Sequence, residues 1–203
     1  HLIANLRTQL EALNHITFSD AEWRDFFENK IAGKNDGIVE MTGRIHEVHV
    51  QLLKREDGST KNITLLDKQN IHNNRLQVIN QYEVDRAEPD DENSTGGRYA
   101  NRNDVTILVN GLPMVHIELK RRGVDIREAF NQIDRYQRDS FWAGSGLFEY
   151  VQLFVISNGT LTKYYSNTTR SQHLKETRAS TRSTAGRSRK TSNSLEFTSW
   201  WAE

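Results

Sequence analysis

The stretch that decides the fold is NDVTILVNGLPMVHIELKRRG, residues 103–123. Two apolar runs that alternate like β-strands, VTILV and MVHIEL, are joined by NGLP, and Asn-Gly is a strong signal for a tight hairpin turn. The sequence therefore predicts an antiparallel β-hairpin. Charged residues stand at its open end, because Asp104 begins the first strand and Glu118 and Lys120 end the second.

These three charged groups are predicted to meet. Side chains alternate along a strand, so Glu118 and Lys120 share a face, and the turn returns the second strand to the level of Asp104. Two carboxylates suit a hard divalent cation such as Mg²⁺, and a neighbouring lysine can orient or deprotonate a water or neutralise charge. An ordinary surface ion pair has the same Glu-x-Lys spacing and contributes little. The site is favoured because the acids interrupt apolar strands in which Val115 and Ile117 share one side.

The composition limits the class of protein. The chain has 203 residues, enough for one domain with a substantial core, and its net charge is zero, which argues against a general polyanion binder. It contains no cysteine, so disulfides and thiolate metal sites are excluded. No apolar run is long enough to span a bilayer. We therefore expect a cytoplasmic protein, or part of one, with no membrane partner.

Further elements are predicted on both sides of the hairpin. Ser19 and Glu22 have the spacing of a capping box, and the helix that they begin should end at Gly33. Alternation and helical spacing predict two strands around an Asp-Gly turn in 45–67, a strand in 75–85, a helix in 125–139, a strand in 150–159 and its hairpin partner in 161–167. The fold class is α/β, with a mixed central β-sheet flanked by helices.

The last part of the chain has a different composition. Residues 170–190 carry seven Lys or Arg and one acid in a background of Ser, Thr and Gly, which predicts a flexible basic linker with salt-sensitive affinity for DNA. The FTSWW stretch follows, and Phe197, Trp200 and Trp201 form an apolar patch. We expect this patch to dock on a following domain or on the core of this one. The predicted division is a domain over 1–167 and a linker over 168–203.

Taken together, the motifs resemble a known family. Asp104, the Glu118-Leu119-Lys120 stretch and the Gln132 to Tyr136 stretch look like the PD-(D/E)xK nucleases, in the RecB-like branch that carries a QxxxY motif. NDVTILVNGLPMVHIELKRRG, IREAFNQIDRY and LFVISNGT resemble the N-terminal nuclease domain of the R (HsdR) subunit of type I restriction enzymes. The resemblance covers most of residues 12–170 and implies a restriction-endonuclease-like fold.

The resemblance also implies roles for residues. Asp104 and Glu118 would bind Mg²⁺, Lys120 would act on the attacking water, and Gln132 and Tyr136 would position DNA or the lysine. Asn103 stands where the family motif has proline, which leaves the aspartate in place. Many relatives also have an upstream helical glutamate, for which Glu11 and Glu28 are candidates by position.

The implied activity is that of a type I site-specific deoxyribonuclease. Its nuclease domain would cleave double-stranded DNA and act with methyltransferase and specificity subunits. The chain has no GxxxxGK[ST] sequence, so ATP would be a cofactor of the full-length subunit, bound by motor domains beyond the linker. Two alternatives stay open: a catalytically idle nuclease fold that binds DNA or docks another subunit, and a structural protein whose basic tail binds nucleic acid.

Overall fold

A computed structural model describes residues 1–84, 101–127 and 146–167. Its helices are α1 (Leu2–Asn14), α2 (Asp20–Phe26), which continues as a π-helix (Phe27–Ile31), and α3 (Ile38–His46), with 3-10 turns at Ile71–Asn73 and Leu147–Tyr150. Its strands are β1 (Val50–Lys54), β2 (Thr60–Thr64), β3 (Leu76–Val84), β4 (Asn101–Val109), β5 (Leu112–Leu119), β6 (Leu153–Ser157) and β7 (Thr162–Ser166). Within the described ranges, no helix has the length and apolar character needed to cross a membrane.

The capping box predicted from the sequence begins α2. The backbone N–H of Glu22 donates to Ser19 Oγ (3.2 Å), and the backbone N–H of Ser19 donates to Glu22 Oε2 (3.0 Å). The hydrogen bond from Ser19 lowers the pKa of the Glu22 carboxyl against the opposing effect of burial, and the charge of Arg55 adds to the lowering. The helical segment ends before Gly33, as predicted, because Ala32 already departs from helical geometry.

The predicted pair of strands around the Asp-Gly turn is also present. β1 and β2 form a separate antiparallel sheet, and Gly58 adopts a left-handed φ of 82° in the turn between them. The first residues of the predicted strand region, Ile45 and His46, instead end helix α3. Alternation over so short a stretch did not distinguish the last turn of an amphipathic helix from a strand.

The central sheet has five strands in the order β3-β4-β5-β6-β7. Neighbouring strands are antiparallel except β5 and β6, which are parallel, so the sheet is mixed as predicted. β5 is therefore the central strand of this sheet, and β4 lies directly beside it. The turn of their hairpin is shorter than the predicted NGLP, because only Asn110 and Gly111, with φ of 50° and 84°, lie between the strands and Leu112 already belongs to β5.

The two faces of the central sheet differ in burial. One face packs against the N-terminal helices and contributes buried Thr106, Leu108, His116, Phe154 and Ile156. The opposite face is apolar and less buried, with Val78 68%, Leu119 48% and Tyr164 57% exposed and the aliphatic residues of β4 to β6 half-buried. Val115, Ile117 and Leu119 share this less buried face.

The segment before β6 is anchored on the helical layer. Tyr150 is fully buried and its hydroxyl donates to the carbonyl of Ile31 (2.7 Å). Burial raises the pKa of Tyr150 to about 12, although the charge of Arg44 opposes the shift. The tyrosine therefore remains a neutral hydrogen-bond donor, and it fixes the start of β6 beside β5 and the site described next.

Candidate active site

Asp104 and the end of β5 are held together by a hydrogen bond. The antiparallel register pairs Val105 with Ile117, which brings the start of β4 to the end of β5. Asp104 Oδ2 accepts a hydrogen bond from the backbone N–H of Leu119 (2.8 Å). The sequence prediction that Asp104 lies beside the Glu-x-Lys stretch is confirmed.

Glu118 and Lys120 form an ion pair on the inner face of the sheet. The distance from Lys120 Nζ to Glu118 Oε1 is 3.1 Å, and the side chains are 20% and 0% exposed. The backbone N–H of Lys120 donates to the carbonyl of Ser157 (2.8 Å), so the parallel neighbour β6 also fixes this end of β5. Glu118 is fully buried and Lys120 is largely buried, unlike the two partners of an ordinary surface ion pair with the same spacing.

His116 is a member of this cluster that sequence reasoning missed. It is fully buried on the same face as Glu118, and its Nε2 lies 3.7 Å from Glu118 Oε2. The signal was present in the sequence, because the alternation that pairs Glu118 with Lys120 also places residue 116 on their face. The sequence did not indicate that His116 would contact Glu118, because a histidine within an apolar strand can have many different neighbours.

The donors fit a hard divalent cation in their chemistry. Both carboxylates supply oxygen, and Glu118 Oε2 is buried without a hydrogen bond from the described part of the chain. No group of three or more His, Asp or Glu suited to a metal occurs within residues 1–84, 101–127 and 146–167. Mg²⁺ commonly uses one or two carboxylates and keeps several waters, so two carboxylates are sufficient.

The two candidates for an upstream glutamate have other surroundings. Glu11 Oε1 is 3.2 Å from Arg7 Nε and accepts the backbone N–H of Phe18 (2.9 Å), so this carboxylate stabilises the junction after α1. Glu28 lines a cavity of about 330 Å³ beside Trp23, and the described lining of that cavity contains neither Asp104 nor Glu118. The structure brings neither glutamate into the cluster.

Several predicted features lie outside the described residues. Ile126 and Arg127 have helical backbone, where the helix predicted in 125–139 should begin, but Gln132 and Tyr136 are not among the described residues. The linker 168–203 and its FTSWW patch lie outside them as well. The roles of these residues stay predictions.

The mixed five-stranded sheet, the helices packed on one of its faces, and the acidic cluster at the end of the central hairpin define a domain of the restriction-endonuclease-like fold class. The family model described as "Type I restriction enzyme R protein N terminus" matches residues 1–173. The chain belongs to this family.

Named relatives agree with the family assignment. Over its whole length the chain is 46% identical to the type I restriction enzyme EcoprrI endonuclease subunit of Escherichia coli, of which it spans 55%. Over 57% of its length it is 49% identical to the SsaAORF53P endonuclease subunit of Staphylococcus saprophyticus, and over 61% it is 31% identical to the putative MjaIXP endonuclease subunit of Methanocaldococcus jannaschii. It spans 11% of each of these two relatives.

Proposed function

We propose that this chain is the Mg²⁺-dependent endonuclease domain of a type I restriction enzyme R subunit, and that it cleaves phosphodiester bonds of double-stranded DNA. The observation that carries the proposal is the convergence of Asp104, Glu118 and Lys120 at one end of the central hairpin. Membership of the R protein family and relatives named as endonuclease subunits support it. The reaction class is that of a type I site-specific deoxyribonuclease.

Asp104 and Glu118 are the residues that would hold Mg²⁺. The bound cation would supply Lewis acidity for the phosphodiester and a lowered pKa for the attacking water. Asp104 is oriented by the backbone N–H of Leu119, and Glu118 by Lys120 on one oxygen. The hairpin therefore preorganises both carboxylates, so little reorganisation is required when DNA binds.

Lys120 would act on the water and on the charge that develops at phosphorus. Its side chain is 20% exposed while Glu118 is fully buried, so the lysine is the member of the pair that reaches solvent and substrate. In hydrolysis, the oxygen of water forms a bond to phosphorus while a phosphorus–oxygen bond to the sugar breaks, and the departing oxygen gains a proton. As an ammonium, a lysine at this position can orient the water and stabilise the added negative charge, whereas the neutral amine can accept the proton of the water.

Other activities belong to the whole subunit in this proposal. The chain has no GxxxxGK[ST] sequence, so ATP-driven translocation would require parts of the protein beyond this domain. Methyltransferase and specificity subunits would provide site recognition, and the complex would act on DNA in the cytoplasm. Gln132 and Tyr136, four residues apart on a predicted helix, would help to position DNA or Lys120.

One observation favours a second candidate, a catalytically idle nuclease fold that binds DNA or docks another subunit. Asp104 Oδ2 and Glu118 Oε1 both already have partners within the chain, at 2.8 and 3.1 Å. These contacts would give both carboxylates a structural role in the hairpin, and an inactive cluster would keep them for that reason.

Cleavage by the whole restriction complex distinguishes the two candidates. Asp104→Ala, Glu118→Ala and Lys120→Ala should each abolish cleavage of circular DNA that carries the recognition site, while ATP hydrolysis continues and circular dichroism shows a folded protein. Glu47→Ala, a change at an exposed carboxylate, is the matched control and should cleave normally. Normal cleavage by a variant at 104, 118 or 120 would refute the role given to that residue, and normal cleavage by all three would favour the idle fold.

A further inference from the structure

His116 occupies the interior side of the candidate active site. Its side chain is 0% exposed, and its ring meets Phe154 edge-on, with 6.3 Å between ring centroids and 67° between ring planes. Phe154 is in turn stacked on Tyr165, at a centroid distance of 5.0 Å. One side of the imidazole therefore packs against an aromatic pair that the neighbouring strands β6 and β7 supply.

The two oxygens of Glu118 have different neighbours. Oε1 is bound by Lys120, and Oε2 faces His116 Nε2 at 3.7 Å. That distance is longer than a hydrogen bond, and a small rotation of the carboxylate would close it. Glu118 is fully buried, and a buried carboxylate requires polar partners on both oxygens to keep one orientation.

We propose that His116 is a positioning residue for the nuclease reaction, which orients the Glu118 carboxylate from inside the sheet so that it can bind a divalent cation. The inference rests on the proposed function, since it concerns the same carboxylate. In this arrangement Lys120 holds the outer oxygen and His116 holds the inner one. Partners behind a metal-binding side chain commonly change metal affinity by about 10- to 100-fold when they are removed.

A role in packing alone would have different consequences. If His116 only fills space, an apolar side chain of similar volume should serve equally well. If it positions Glu118, the N–H group is the part that matters, and glutamine should substitute because its amide nitrogen can occupy the place of Nε2. Thr106, the cross-strand partner of His116, is also buried and polar, and its Oγ1 has no hydrogen bond within the described part of the chain. Thr106→Val is therefore a matched control that changes the same region without removing a hydrogen bond to Glu118.

The test is Mn²⁺ binding to the full chain, measured by calorimetry without DNA, together with thermal unfolding. Relative to the unaltered chain, we expect His116→Leu to weaken Mn²⁺ affinity by about tenfold. His116→Gln and Thr106→Val should leave the affinity nearly unchanged, because both keep a polar N–H group beside Glu118. His116→Met replaces His116→Leu if the latter does not fold.

The outcomes separate this inference from the proposed function. If Asp104→Ala weakens Mn²⁺ binding but folded His116→Leu or His116→Met does not, His116 does not position Glu118 and the cation site stands. If glutamine is as harmful as leucine, the N–H group is not the relevant feature and the inference is wrong. If neither Asp104→Ala nor Glu118→Ala changes Mn²⁺ binding, the cation site itself is refuted, and the role of His116 is refuted with it.

Discussion

Replacing Lys120 by methionine tests whether the charged cluster is present for chemistry or for stability. Methionine keeps the length of the side chain but leaves Glu118 as a buried carboxylate without its nearest cation, 3.1 Å away. Breaking a buried ion pair lowers the free energy of unfolding by about 3–5 kcal/mol. The Lys120 side chain is 20% exposed, so water can replace part of the interaction and we expect a loss of about 2–3 kcal/mol.

The double variant Glu118→Met with Lys120→Met should behave differently. It removes both charges at once, and replacement of a buried ion pair by apolar side chains of similar volume is commonly neutral or stabilising by about 1–4 kcal/mol. We therefore expect urea unfolding of the full chain to show a less stable single variant, Lys120→Met, and a double variant at least as stable as the unaltered protein. Neither should cleave DNA in the whole complex.

The ion pair of Arg7 with the exposed Asp20 is the control, since Asp20→Asn should change stability little. A double variant that is less stable than Lys120→Met would show that the ion pair stabilises the fold. The proposal that the charged cluster is present for chemistry and not for stability would then be refuted.

The remaining predictions concern the turns, acid stability and the QxxxY motif. Gly111→Ala should lower the free energy of unfolding in urea by about 1–3 kcal/mol more than Gly58→Ala does. Both glycines have φ near 80°, but only a Cβ at residue 111 would lie 2.6 Å from the backbone of Leu6. Equal losses for the two variants would contradict this close approach. Because the pKa of Glu22 is lowered in the folded protein, the carboxylate contributes stability at pH values above its ordinary pKa of 4.5, and this contribution is lost as the pH falls through the folded pKa. Glu22→Gln should therefore make stability fall less steeply with decreasing pH in the acid range. An unchanged dependence on pH would refute this. Gln132→Ala should lower DNA cleavage while ATP hydrolysis by the whole subunit continues, and normal cleavage would make the motif a coincidence of helical packing.

The central hairpin and its charged end could be predicted because their signals are local. An Asn-Gly turn predicts that two adjacent strands fold back on each other, which brings Asp104 near the end of β5. The exact pairing, Val105 with Ile117, also depends on a shift in register between Ile107 and Leu108, which the turn does not predict. The capping box at Ser19 is equally local, since one side chain and one backbone group three residues apart define it. In both the hairpin and the capping box, residues that are close in the sequence are also close in the structure.

The features that were missed depend on distant contacts. Whether Ile45 belongs to a strand or to the end of α3 is decided by packing against the rest of the domain rather than by alternation. The burial of Glu118 depends on the helical layer and on β6, which is parallel to β5 and reached only after a long connection. The contact between His116 and Glu118 is local in sequence, but its importance follows from burial, which no short motif reports.

The most direct test of the account is the location of a divalent cation in crystals of the full chain grown with Mn²⁺. Anomalous scattering identifies manganese without reference to any assumed site. We expect one strong anomalous peak within coordination distance of both the Asp104 and the Glu118 carboxylates, and loss of that peak in Asp104→Ala crystals. A peak elsewhere that persists in Asp104→Ala, with no manganese between these two carboxylates, would contradict the assignment of the active site.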